Sequence, residues 1–269
     1  MRGSLRQRFD AASATWSPVV ELRQYSLHPG QRDVLIDLFD REFVESQENL
    51  DIRVIGQFRD MDDPDRFVWL RGFPDMTTRG RSLPSFYDGP VWLEHRHAAN
   101  ATMIDSDNVL LLRPARSNAG FTPVRADRSP RGTTGERGGV VIASVVSLET
   151  SEQEVFIDTF ERELEPTLRA AGGTVLAYFV TEHSPNNFRL PVRDSENVFA
   201  WFAGFPDGNV DASLLTVVSS LGTSVHVRGG LQPPQVLRLA PTARSLLSGA
   251  SPACTALPAV SGSGDPTSL

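Results

Sequence analysis

Near the start of the chain, the run Val20-Glu21-Leu22-Arg23-Gln24-Tyr25 holds groups that could do chemistry together. The two-residue period of a strand puts Glu21, Arg23 and Tyr25 on one face and Val20, Leu22 and Gln24 on the other. A carboxylate, a guanidinium and a phenol in line are the parts of an oxyanion site. Arg23 would stabilise developing negative charge, Tyr25 would orient or protonate a substrate oxygen, and Glu21 would contact substrate or simply pair with Arg23. Arg71, on the strand face of Trp69, adds a second guanidinium. His95 is a candidate acid/base group or haem ligand. Trp69 and Trp201 could flank a flat aromatic ligand, or could be core indoles.

Other chemistries are excluded. His95 and His97 lie two residues apart in a helical stretch and point about 200° apart, so they cannot share one metal. His28, His183 and His226 have no partners at ligand spacing, and the one thiol, Cys254, allows neither an intrachain disulfide nor a cysteine zinc site. The chain has no Lys, which removes Schiff-base catalysis. Dinucleotide, P-loop, nucleophile-elbow, zincin and Cys-x-x-Cys motifs are all missing. No metal and no cofactor is expected, haem being the variant that His95 would serve.

Thirty-three acidic residues against 26 arginines give a net charge of −7, which disfavours nucleic-acid partners. The densest apolar run, Val198 to Phe205, has the length of a strand and not of a membrane span. Residues 1–18 lack the apolar core of a secretory signal, so a cytoplasmic location is expected.

The elements that must position these side chains come in two copies. Trp69-Leu70-Arg71-Gly72-Phe73-Pro74-Asp75 recurs as Trp201-Phe202-Ala203-Gly204-Phe205-Pro206-Asp207, 132 positions later. Ile36 to Glu42 recurs as Ile157 to Glu163 at an offset of 121. The second copy therefore carries eleven extra residues between its middle strands, within the polar stretch His183 to Asp194. At the shorter offset Glu21, Arg23 and Tyr25 become Ile142, Ser144 and Val146, and at the longer one Arg71 becomes Ala203. The polar constellation thus belongs to the first copy alone.

Each copy reads βαββαβ. The first has strands at Val19 to Leu27, Ile52 to Arg59, Phe67 to Phe73 and Val109 to Leu112. One helix is lined by Val34, Leu35, Leu38, Phe39 and Phe43, and another starts with Asp88 as N-cap and Pro90 in the first helical position. In the second copy a Ser151/Glu154 capping box opens a helix that Pro166 kinks or splits. Strands follow at Thr174 to Thr181 and Val198 to Phe205, then a helix at Ala212 to Leu221 and a strand at Gln235 to Leu239.

A βαββαβ unit has helices on one sheet face and leaves the other bare, so two such faces should meet. The apolar set Val20 and Leu22 is expected under the helices. That puts Glu21, Arg23 and Tyr25 in a cavity between the sheets.

The first copy, through Val20 to Gly30, Trp69 to Asp75, and Phe86-Tyr87-Asp88-Gly89-Pro90-Val91-Trp92 with the following His95-Arg96, resembles the NIPSNAP family of dimeric α+β barrel proteins. The match is strong over Val19 to Pro114 and looser over Val140 to Arg244. It implies an α+β fold in which two tandem ferredoxin-like repeats pack sheet to sheet, as an intrachain dimeric α+β barrel. The boundaries are a flexible N-terminus (1–18), a first domain (19–114), an Arg/Gly/Pro-rich linker (115–138), a diverged second domain (139–244) and a disordered tail (245–269). Related barrels include cofactor-free monooxygenases, haem enzymes and plain binders. The implied function is binding of a small hydrophobic or aromatic molecule between the sheets, with monooxygenase-like or rearranging chemistry, or a noncatalytic scaffold. Pairing of tandem chains into a homodimer stays open.

Overall fold

Two four-stranded antiparallel sheets, one from each repeat, join edge to edge in this computed structural model, which describes residues 16–122, 128–206, 210, 214–218 and 233–250. The first sheet comprises β1 (Val19–Leu27), β2 (Arg53–Asp60), β3 (Arg66–Phe73) and β4 (Met103–Pro114). The second comprises β5 (Val140–Ser147), β6 (Thr174–Thr181), β7 (Val198–Phe205) and β8 (Gln235–Pro241). The closed order is β1-β3-β2-β8-β5-β7-β6-β4. Its seams are β2 with β8, where Phe58 pairs with Pro241, and β4 with β6, where Leu112 pairs with Thr181. Closure through these two short seams leaves neither sheet with a wholly open edge strand.

An eight-stranded barrel is just wide enough for its side chains to fill. Val20, Leu22, Ile55, Phe58, Val68 and Leu70 from the first sheet meet Val141, Ala143, Phe179, Ala200 and Phe202 from the second in one apolar core. The expected inter-sheet cavity is therefore packed with hydrocarbon, and the two faces of β1 are the reverse of the sequence expectation. Val20 and Leu22 point into the barrel, and Glu21, Arg23 and Tyr25 point under the helices. Alternation divides the two faces without naming them. Nearly all of β1 is buried on both sides, so polarity does not mark solvent.

The repeated motif glycines have a packing role. A Cβ on Gly72 would lie 2.3 Å from Ser17 Oγ, and one on Gly204 would lie 2.6 Å from the Gly249 carbonyl oxygen. In each copy a chain segment crosses the sheet where the side chain is missing. Trp16, Phe121, Leu246 and Leu247 join the barrel core. Part of the expected linker and the start of the expected disordered tail are thus ordered plugs. Arg128 donates to the Val54 carbonyl at 2.7 Å and pairs with Glu48 at 2.7 Å, so it is no solvated linker residue.

Outside the first sheet lie α1 (Arg32–Leu38), a π-helical turn (Phe39–Phe43) and α2 (Val44–Glu48) as one bent rod, then α3 (Met76–Tyr87) and α4 (Pro90–Asn100). The second lobe repeats the rod as α5 (Gln153–Thr159), a π turn (Phe160–Leu164) and α6 (Glu165–Ala170), which has Pro166 in its first turn. The sequence reading has no α3, because Gly80 and Pro84 obscure its helical pattern. Asp75 caps it, accepting from the Thr78 amide at 2.6 Å. The N-cap of α4 is Gly89 and not Asp88, whose carboxylate instead takes Arg189 at 2.9 Å. The Ser151/Glu154 capping box does not form, and a 3-10 turn (Thr150–Glu152) leads into α5. Of the expected helix at Ala212 to Leu221, residues 214–218 are described and helical. His226, Cys254 and the terminal stretches 1–15 and 251–269 lie outside the described residues. Among those described, no helix is long and apolar enough to cross a membrane.

Candidate functional site

The first lobe's helix layer covers a cluster of ions that its strands deliver. Glu21 is fully buried and takes three guanidiniums. Arg23 Nη1 donates to Oε2 at 2.6 Å, Arg71 Nε to the same oxygen at 2.8 Å, and Arg79 Nε to Oε1 at 2.8 Å. Arg71 Nη2 also lies 2.7 Å from Oε2, without hydrogen-bond alignment. The register explains the pairing, since Glu21 sits opposite Arg71 and Arg23 opposite Trp69 across the β1–β3 ladder. Burial by itself would raise the Glu21 carboxyl, but attraction to Arg71, Arg23 and Arg79 outweighs it and holds the group well below the usual carboxylate range. Arg79 is pushed below its ordinary value by burial and by the like charges of Arg71 and Arg23, against the pull of Glu21.

Beside this cluster, between sheet and helices, is a pocket of about 30 Å³. Its walls include Tyr25, Phe39, Phe43, Gln47, Trp69 and Tyr87, with Trp92 and Ala99 from α4. Arg23 Nε donates to Tyr25 Oη at 3.0 Å, and Arg71 Nη1 reaches Gln47 Oε1 at 3.3 Å and Tyr87 Oη at 3.4 Å. Burial raises the Tyr25 phenol, so it stays protonated. The Trp69 indole has the Arg23 and Arg71 guanidiniums 5.4 and 5.3 Å from its ring centroid, and its Nε1–H has no hydrogen-bond partner. Phe39 and Phe43, spaced across the π turn, press their rings on Trp69 and Phe86.

The cover over this layer comes from the other lobe. The loop between β6 and β7, where the eleven extra residues fall, crosses to the first lobe. Asn186 and Asn187 accept from Arg79 Nη1 at 3.1 and 2.7 Å, and Phe188 stacks on Tyr87 at 5.4 Å between centroids. Gly80 lets it settle, since a Cβ there would lie 2.7 Å from Asn187 Nδ2.

The structure thus gathers Glu21, Arg23, Tyr25, Trp69 and Arg71 and separates the other two candidates. His95 does not line the pocket. It is partly exposed on α4, with Glu42 Oε2 at 3.8 Å and its ring edge-on to Phe43 at 6.3 Å between centroids. It is not placed to act on a ligand there or to serve as the axial ligand of a haem. Trp201 packs under the second lobe's helices with Phe160, so the two indoles line separate layers and not one cavity. Among the described residues no group of three His, Cys, Asp or Glu could hold a metal ion.

Sequence reasoning missed Arg79, Gln47 and Tyr87. Arg79 was hidden with its helix. Gln47 was findable, lying one turn beyond Phe43 on the stripe that buries the rod.

Residues 20–118 match the NIPSNAP family model. No curated protein matches the chain. Among solved structures, it is similar to a Fusobacterium nucleatum protein named "Putative monooxygenase", with 7% identity and a TM-score of 0.49 over 84% of this chain and 92% of that one. A Lactobacillus acidophilus protein of the same description is 11% identical with a TM-score of 0.47, over 84% of this chain and 94% of that one. An uncharacterized NIPSNAP-like domain protein from Burkholderia xenovorans is 27% identical with a TM-score of 0.36, over 39% of this chain and 90% of its own.

Proposed function

We propose, from the geometry of the first lobe, whose residues 20–118 match the NIPSNAP family model, that this chain binds a small hydrophobic or aromatic molecule between the first sheet and its helices. The observation that carries the reading is the aromatic pocket beside Arg23 and Tyr25, whose Tyr87 wall is stacked by Phe188 in a loop from the other lobe. At about 30 Å³ the pocket holds little more than a water, so a ligand is admitted by displacing that loop and the Trp92 side of α4. The occupant is a small molecule and not a nucleic acid, given the net charge of −7, and the proposed setting is the cytoplasm.

In this reading Tyr25 hydrogen-bonds a ligand oxygen and Arg23, behind it, stabilises charge that develops there. Two reactions suit such a pair. One is rearrangement through an enolate. The other is oxygenation without a cofactor, in which dioxygen is the oxidant and a substrate CH₂ becomes C=O with release of one water. A noncatalytic binder is the second reading, favoured by one observation. Glu21 is held by three guanidiniums and His95 is outside, so among the described residues no general base lines the pocket.

Native mass spectrometry of the purified protein tests the binding. We expect one organic molecule retained by the wild type and lost in Ala99→Leu, which fills the space from α4. Retention by both proteins would overturn the assignment. Tyr25→Phe then separates the readings, because turnover of the identified ligand should fall at least tenfold if the phenol acts on it, whereas a site that only binds turns over nothing in either protein.

A further inference from the structure

We propose that the pocket takes its ligand as an oxyanion, a carboxylate or an ionised enol or phenol on a small conjugated body. This rests on the pocket reading above and names the ligand class.

Arg23, Arg71 and Arg79 are each at least 98% buried, and all three converge on one carboxylate. Among the described residues no second acid pairs with any of them. The cluster therefore carries two positive charges in excess, inside a protein whose net charge is −7. Buried charge is retained only where something compensates it. The aromatic faces of Trp69, Tyr25 and Tyr87 soften the excess without cancelling it, since a ring quadrupole carries no net charge.

The donors point the same way. Tyr25 and Tyr87 accept from guanidiniums, which leaves each phenol proton to be donated elsewhere, and no described side chain receives either. Trp69 Nε1–H is buried with no partner. Three donors with no acceptor assigned therefore line one small space, as binding of an anionic oxygen requires. The site supplies charge and protons but no base. It would thus select compounds that arrive ionised or ionise readily.

Titration of the full chain with para-fluorobenzoate and para-fluorobenzamide, followed by ¹⁹F line broadening, tests this with two probes of one shape. The expected result is that the carboxylate binds at least tenfold more tightly than the amide, although the protein is net negative. Gln47→Glu, which places a carboxylate beside Arg71 from within, should remove that preference, and Trp69→Phe should weaken the carboxylate severalfold with little effect on the amide. Circular dichroism establishes that each variant is folded, and either one suffices. Equal binding of both probes by the wild type, abolished by Ala99→Leu, would overturn the anion and leave the pocket standing. Binding of neither probe would overturn both.

Discussion

The two lobes share a rod with a π turn, a Trp on the third strand and a motif glycine, yet they solve the space under their helices in different ways. In the first, Glu21, Arg23, Tyr25 and Arg71 build an ion cluster beside a pocket. In the second, the equivalent positions hold Ile142, Ser144, Val146 and Ala203, Gln47 is replaced by Leu168, and Phe160, Tyr178, Phe199 and Trp201 close ranks. A barrel wall of this kind is stable with plain hydrocarbon behind it. The ions of the first lobe are therefore not required by the barrel architecture itself, which is consistent with the ligand role proposed for them.

The contrast can be broken most forcefully at Glu21. Glu21→Gln leaves three buried guanidiniums without their counterion and should cost about 3–5 kcal/mol in urea unfolding. Ile142→Val at the equivalent site should cost about 1 kcal/mol. Similar losses would mean that the cluster is only another piece of core.

Asp40 gives the next largest effect, with the sign reversed. It is buried on the π turn, accepts from Gln57 Nε2 at 2.7 Å, and is pushed up to about 6, chiefly by burial. The unfolded chain ionises this carboxyl near 3.8, so the native state holds the extra proton between those values and loses stability as pH rises through them. Asp40→Asn should therefore stabilise the protein by about 1–3 kcal/mol at pH 7.5, with the gain gone below pH 4. Glu21 behaves oppositely. Its stabilisation is present above its ordinary value of 4.5 and is lost as pH falls from there toward its depressed native value. Glu161, the counterpart of Asp40, is partly exposed and accepts from Tyr178 at 2.8 Å, so Glu161→Gln should bring no gain at pH 7.5.

The smallest effect belongs to the covering loop. Phe188→Ala removes one ring stacked on Tyr87 and should cost only about 0.5–1.5 kcal/mol. It should nevertheless raise acrylamide quenching of tryptophan fluorescence as the pocket opens more often. Unchanged quenching would mean that the loop does not control access.

Much of this was legible in the sequence. The repeat fixes two βαββαβ units, and the difference of eleven between its offsets locates the longer β6–β7 loop. Confinement of the polar set to the first copy follows from aligning Glu21, Arg23 and Tyr25 with Ile142, Ser144 and Val146. What alternation could not decide is which face of β1 the helices cover, because both faces are buried and a closed barrel leaves no room for charge. Arg79 was illegible for a different reason. Its helix carries Gly80 and Pro84, whose use is clear only when Asn187 is seen against the glycine. The plugs at Phe121 and Leu247 look like linker and tail because composition does not record where a chain returns.

A loop that one half lends to the other has a consequence for symmetry. In a two-fold pair of identical subunits every loop occurs twice, so lengthening one would cap both pockets alike, and each copy would need its own ions. Covalent linkage lifts that restriction. One half can give up its charged residues and specialise as a shutter, with no second shutter falling on its own side.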